Sequence, residues 1–334
     1  MNHEIKKITV IGAGSWGTTL AVLLAKKGFS VTLWCRRIEQ ESEITRNKQN
    51  KQYLPGIILP SNLRITSSIQ DACDDTQLLV LAVPAQYARA ILRQFCQHIT
   101  KAHYILHVIK GIEQSSNKLI SSIIKEELGD RIINDHIAVL SGPNHAEEIS
   151  RELPTATVIA SSDMKTATML CSVFQTNYFK VYPLDDVEGV EICGALKNIF
   201  ALAMGVCDGL ELGDNAKASI ITLGLAEMGT VARAFGAKRT TCFGLAGVGD
   251  LIATCYSDHS RNRKVGLLLA QGKSMQQIQQ EMHGMVAEGV STTKAIYEIG
   301  KKKKLTMPLI TQAYEVLYNK KNLESAMAQL LKEV

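Results

Sequence analysis

The sequence predicts an α/β protein in which a Rossmann-type dinucleotide-binding domain over residues 1–186 is followed by an all-α domain over residues 187–334. Three observations carry this expectation. Gly12-Ala-Gly-Ser-Trp-Gly17 follows a short β-branched run and opens a helix. Short apolar strands then alternate with amphipathic helices as far as residue 181, and past Asp186 the strand signal disappears.

Residues 8–11 read as a buried strand, 18–27 as a helix stopped by Gly28, and 30–34 as a second strand. The glycine pattern therefore has the βαβ context that gives it meaning. Gly12 turns the chain tightly, Gly14 lets the backbone approach a pyrophosphate, and Gly17 lets helix and strand pack closely, while the helix N-terminus offers free N–H donors. At the end of the second strand an NAD site places a carboxylate for the ribose hydroxyl, but this chain has Cys35, Arg36 and Arg37. Guanidinium groups bind a 2′-phosphate bidentately, so the cofactor is expected to be NADP or NAD, with NADPH favoured.

Strands follow at 78–83, 104–109, 137–140, 156–160 and 178–181, with helices at 85–97, 116–128, just after Gly142-Pro143, and at 164–174. Such alternation implies a mostly parallel sheet covered on both faces, with ligands at the carboxyl ends of the strands. Lys110, Gly111 and the turn beginning at Ser141 fall there. Helices are expected at 188–206, 216–234, 261–270, 275–282, 292–299, 309–319 and 323–332, and the Lys301–Lys304 run after Gly300 reads as a solvated basic turn. A nucleotide-binding domain followed by a helical one is expected to hold its substrate in the cleft between them.

Composition narrows the class. With 46% hydrophobic and 21% charged residues the chain can bury a core, and no apolar run approaches the roughly 18 residues of a membrane span. No cleavable leader is read at the N-terminus, so the expected location is cytoplasmic. The eight cysteines show no Cys-x-x-Cys pairing and read as small reduced core residues. His103 and His107 are four apart on a strand rather than a helix, so no metal site is expected. A net charge of +5 suits a small anionic substrate and is too modest and dispersed for nucleic acid.

Candidate chemistry lies in the second half. Lys197, in Gly194-Ala-Leu-Lys-Asn198, interrupts an apolar helix, and an enclosed lysine can exchange a proton with an oxygen while a nicotinamide exchanges hydride with the attached carbon. The glycine-rich run Gly244–Gly249 gives a flexible backbone leading to Asp250, which either holds that ammonium, contacts a substrate hydroxyl, or caps a helix. Ser260-Arg261-Asn262 at a helix start combines a hydroxyl, a guanidinium, an amide and free N–H groups, the composition of a phosphate receptor.

Taken together with Lys110-Gly111 and Leu140-Ser-Gly-Pro143, these motifs resemble bacterial NAD(P)-dependent glycerol-3-phosphate dehydrogenases over essentially the whole chain. The resemblance implies reversible reduction of dihydroxyacetone phosphate to sn-glycerol 3-phosphate, supplying glycerophospholipid synthesis. It implies Lys197 as proton donor or acceptor, and Lys110, Gly142, Asn144, Asp250, Ser260, Arg261 and Asn262 as substrate contacts. It also implies Ser15, Trp16, Arg36, Arg37, Lys110, Ala146, Arg261, Val286 and Glu288 as cofactor contacts. The expected partner is a small phosphorylated molecule, with no nucleic acid and no membrane span, and a homodimer is left open. One departure stands out: the family usually has Ser or Thr and then Phe after the Gly-Pro pair, whereas this chain has Asn144 and His145. A β-hydroxyacid dehydrogenase or ketopantoate reductase would need a carboxylate receptor in place of Ser260-Arg261-Asn262, and a dinucleotide sensor would bind without turnover.

Overall fold

The structure, a computed structural model, describes residues 5–282, 286–330 and 332. Two compact units divide the chain. One comprises the residues up to 109 with 120–140 and 144–187; the other comprises 110–119, 141–143 and the chain from 188 onward.

The first unit is built on eight strands: β1 Lys7–Ile11, β2 Ser30–Trp34, β3 Leu63–Thr66, β4 Leu78–Leu81, β5 Tyr104–His107, β6 Ile137–Ser141, β7 Thr155–Ser161 and β8 Phe179–Leu184. They form one sheet in the order β3-β2-β1-β4-β5-β6-β7-β8. The pairs from β3 through β6 are parallel, as is β7 with β8. Strand order reverses between β1 and β4, and at such a switch point the carboxyl ends open a crevice for a ligand.

Alternation along β4 shows how the sheet is covered. Leu78 and Val80 enter one apolar cluster, with Leu20, Leu24, Leu170 and Phe174 of α1 (Ser15–Lys26) and α7 (Met164–Phe174). Leu79 and Leu81 enter another, with Leu92, Phe95, Ile120 and Ile124 of α4 (Ala85–Phe95) and α5 (Ile120–Leu128). A two-residue period sends neighbours to opposite faces, so a near-continuous apolar strand is what two helical layers require. The shorter helices of this unit are α2 Ile38–Asn47, α3 Ile69–Cys73 and α6 Ala146–Ser150.

Two boundaries differ from the sequence expectation. Helix α1 begins at Ser15 rather than at 18, so Ser15 and Trp16 lie in its first turn. Helix α5 begins at Ile120 rather than at 116, because Glu113 and Lys118 bridge antiparallel around Asn117, whose φ is +57°. Asparagine tolerates that left-handed conformation, and it ends any helical path.

Beyond β8 the described residues form helices only. These are α8 Val187–Gly209, α9 Gly213–Ala234, α10 Arg239–Cys242, α11 Asp250–Tyr256, α12 Arg261–Ala270, α13 Met275–Glu281, α14 Glu288–Lys303, α15 Pro308–Asn319 and α16 Leu323–Leu330. By length and composition α8 could cross a membrane, but Ile192, Leu196, Ile199 and Phe200 bury it in the helical core. An apolar helix enclosed on all sides is a core element.

The basic run needs correction. Gly300 does not end its helix: α14 continues through Lys303, and Lys304 closes it in the left-handed region at φ +55°. A Cβ at Gly300 would collide with the Met307 side chain, so this glycine serves close packing. The lysines occupy the last turn, where cations oppose the exposed carbonyl end.

Candidate active site

In the sheet unit the glycine turn is fixed by its own backbone. Gly12 has φ +116°, donates to the Trp34 carbonyl at 3.0 Å, and has no room for a Cβ beside the Ala82 carbonyl at the end of β4. A Cβ at Gly17 would strike the Gly12 carbonyl. Gly14, by contrast, faces open space. Gln40 Nε2 and Asn50 Nδ2 each donate to the Ala13 carbonyl at 3.0 Å, and Asn50 also donates to Thr18 Oγ1 at 2.8 Å. The turn is thus held by the protein, and α1 starts without a side-chain cap, leaving its first N–H groups for an anion.

Around this turn lie several of the expected cofactor residues. Ser15 is buried and its carbonyl accepts from Thr19 Oγ1, which also reaches the Ala146 carbonyl at 3.4 Å and so brings the start of α6 beside α1. Trp16 packs edge-on against Phe179 at 6.5 Å, and its indole N–H has no acceptor among the described residues. Arg36 and Arg37 are exposed just beyond β2, next to the carbonyl that holds Gly12. Cys35, the first residue of that run, is buried under the strand end, and burial pushes its thiol up to about 11. An open Gly14, uncapped N–H groups, two exposed guanidinium groups and no carboxylate at the end of β2 fit a dinucleotide carrying a 2′-phosphate.

In the helical unit one carboxylate organises the chemistry. Asp250, fully buried at the start of α11, accepts from Lys197 Nζ through Oδ1 at 2.6 Å and from Lys110 Nζ through Oδ2 at 2.7 Å. Lys197 also donates to Thr254 Oγ1 at 2.7 Å, and Thr254 donates to Asp250 Oδ1 at 3.2 Å. Lys110 reaches the Gly142 carbonyl at 2.9 Å, where Gly142 adopts φ +139°. Gly194 leaves space for this convergence, since a Cβ there would sit 2.8 Å from Ser141 Oγ and 3.5 Å from Lys110 Cγ.

Charge follows from this geometry. Burial opposes ionisation of Asp250, yet the two ammonium groups outweigh it and hold the carboxyl below its usual range. Burial pushes Lys110 down to about 7, with Asp250 opposing the shift and Lys197 adding to it. The cluster therefore loses one positive charge as Lys110 gives up its proton.

A second chain of bonds links three helices to the lysine segment. Asn198 Nδ2 donates to the Lys110 carbonyl at 2.9 Å, Asn262 Nδ2 donates to Asn198 Oδ1 at 2.9 Å, and the Gly289 N–H donates to Asn262 Oδ1 at 2.9 Å. Ser260 caps α12 by accepting from the Arg263 N–H at 3.2 Å. Arg261 is exposed and touches the Val286 carbonyl at 3.4 Å, while Glu288 begins α14 beside Gly289. Asn144 alone among the expected substrate residues belongs to the sheet unit, where its amide donates to Thr157 Oγ1 at 3.3 Å.

The two halves match family models for the N-terminus (residues 7–167) and the C-terminus (residues 186–328) of NAD-dependent glycerol-3-phosphate dehydrogenase. The chain belongs to that family. It is 45% identical over 98% of its length to glycerol-3-phosphate dehydrogenase [NAD(P)+] of Bacillus cytotoxicus, covering 96% of that protein. The crystal structure of glycerol-3-phosphate dehydrogenase from Coxiella burnetii superposes with a TM-score of 0.94 at 34% identity, covering 99% of this chain and all of that one. Glycerol-3-phosphate dehydrogenase of Saccharomyces cerevisiae gives a TM-score of 0.83 at 32% identity, over 98% of this chain and 99% of that one.

Thr254 escapes the sequence reading, as does the part Asn198 plays as a bonding hub. Thr254 had a signal, because it lies four residues after Asp250 and shares its helix face. Recognising it requires α11, of which the sequence reading offers only a helix cap at Asp250 as one alternative. Residues Leu245–Gly249 instead form a wide helical turn running into α11, and Gly247 is small because a Cβ would meet the Cys242 backbone.

Proposed function

We propose that this chain reversibly reduces dihydroxyacetone phosphate to sn-glycerol 3-phosphate with NAD(P)H, NADPH being favoured, and that the product supplies glycerophospholipid synthesis. The observation that carries the reading is the Lys197 ammonium: two of its three N–H donors go to Asp250 and Thr254, leaving the third for a substrate oxygen.

When bound, the nicotinamide supplies a hydride to the carbonyl carbon or takes it back. In the reducing direction the carbonyl π electrons move onto oxygen, and Lys197 gives that oxygen its proton; in the oxidising direction neutral Lys197 removes it. Asp250 orients both lysines and compensates their charge, and Lys110 with Gly142 borders the substrate. Ser260, Arg261 and Asn262 receive the phosphate, Arg261 through its exposed guanidinium and Asn262 through the amide hydrogen not given to Asn198. Asn144 contacts the same substrate.

Residues 1–186 form the dinucleotide-binding domain and 187–334 the helical substrate domain, with Lys110, Gly142 and Asn144 of the first range also contacting substrate. Gly14, Ser15 and Trp16 would hold the cofactor's pyrophosphate and Arg36 and Arg37 its 2′-phosphate, with Lys110, Ala146, Arg261, Val286 and Glu288 as further contacts. A cytoplasmic location completes the proposal, with a homodimer left open.

The test follows NADPH absorbance with dihydroxyacetone phosphate, in the wild type and in Arg261→Ala. The variant is expected to lose about a hundredfold in kcat/KM on the phosphorylated ketone, on the order of 3 kcal/mol for a desolvated charged hydrogen bond. Unphosphorylated dihydroxyacetone should be affected much less. Equal losses on the two ketones, after NADPH affinity is measured separately, would remove the phosphate-receptor role.

A further inference from the structure

Helix α12 carries the proposed phosphate receptor and packs on α8 along a seam of small residues. Asn198, Leu202, Gly205 and Gly209 recur at steps of four, three and four along one face of α8. Facing them on α12 are Asn262, Gly266 and Ala270. A Cβ at Gly266 would strike the Leu202 carbonyl, one at Gly205 the Arg263 carbonyl, and one at Gly209 the Ala270 Cβ, so the two backbones touch. Leu202 packs with Val265 and Leu268 beside the seam, an apolar contact that carries no fixed direction.

Beyond the seam stands an ion pair that the proposed chemistry does not use. Asp208, mostly buried near the end of α8, accepts from Arg263 Nε at 2.6 Å and pairs with Lys217 Nζ of α9 at 2.6 Å. Arg263 also meets the exposed Asp258 at 2.7 Å. Two arginines two residues apart therefore differ sharply. Among the described residues exposed Arg261 makes a long contact to the Val286 carbonyl, whereas Arg263 is bound by two carboxylates.

We propose that Asp208 and Arg263 are positioning residues for substrate recognition: their ion pair locks α12 in register on α8, so that Ser260, Arg261 and Asn262 meet the phosphate, and it keeps Arg263 from competing for that phosphate. Asp208 lies eleven residues beyond Lys197, roughly 16 Å along the helix, so the pair acts on binding rather than on proton transfer. The inference rests on the proposed phosphate-receptor role of Arg261 and deepens it.

Steady-state kinetics of the full chain test it with two ketones, dihydroxyacetone phosphate and dihydroxyacetone. Asp208→Asn is expected to lower kcat/KM roughly tenfold for the phosphorylated ketone, mainly through KM, the scale of one charge-assisted bond. Turnover number, NADPH KM and efficiency on the unphosphorylated ketone should stay near wild type. Asp208→Glu should restore most of the loss, and Lys217→Met, which spares Arg263, should leave selectivity intact. If Asp208→Asn does not fold, Arg263→Lys, which keeps the charge but not the fork, must show the same selective rise in KM. Arg261→Ala, measured alongside, separates the two ideas. Loss of selectivity in Arg261→Ala with equal or no losses in Asp208→Asn overturns the positioning pair alone, whereas an unselective Arg261→Ala removes the receptor reading beneath it.

Discussion

The sheet unit and the helical unit prepare for their ligands by different means. At Gly12, Gly14 and Gly17 the sheet unit offers mostly backbone: N–H groups at a helix start, a glycine in the left-handed region, and open space where a side chain would stand. The helical unit offers side chains drawn from four separate segments, with Asp250 buried between Lys110 and Lys197. A backbone site follows from conformation within about one turn of chain, while a side-chain site exists only after distant helices pack. The first needs neighbours such as Trp34, Gln40 and Asn50 only to hold its turn, and the second depends on every helix that carries a member.

That contrast can be broken at several points. The largest effect is expected from Lys197→Ala, which removes the donor held by Asp250 and Thr254 and should lower turnover at least about a hundredfold while NADPH affinity is retained. Near-normal turnover in the folded variant would make Lys197 structural. A smaller, cofactor-specific effect is expected in the sheet unit, where Arg36→Ala should raise KM for NADPH roughly ten- to hundredfold and change NADH little. An equal change for both cofactors would remove the 2′-phosphate assignment.

The smallest effect concerns pH. Lys110 titrates near 7 because burial disfavours its charged form, so its ammonium is present below neutrality and lost as pH rises through about 7. Substrate is an anion, and kcat/KM should therefore fall above neutrality, by at most about tenfold per pH unit, the slope of a single titrating proton. Lys110→Met should have a lower but flat profile over that range. A wild-type profile that rises through neutrality would contradict the assignment.

Much of this organisation was legible in the chain. The βαβ alternation, the glycine turn, the missing carboxylate at Cys35-Arg36-Arg37 and the change to helices after β8 all depend on residues close in sequence, where sterics and periodicity act directly. Helix α12 was read with its observed ends, because Ser260 caps it and Ala270 precedes a turn. Less visible were α2, β3 and α3, short elements whose identity depends on what they pack against, and the turn at Asn117 that delays α5.

The charge cluster marks the other limit. Sequence alone supplied Lys197 and Asp250 as polar residues in apolar or glycine-rich surroundings, and Lys110 as a residue at the carboxyl end of a strand. Only tertiary structure decided that one carboxylate serves both lysines, across separations of 140 and 53 residues. The same holds for Asn198, whose partners lie 88 and 64 residues away. Backbone conformation is a local property and is written in local sequence. The proximity of buried charges is created by packing, and it alone determines which polar groups share an environment and how far that environment shifts their protons.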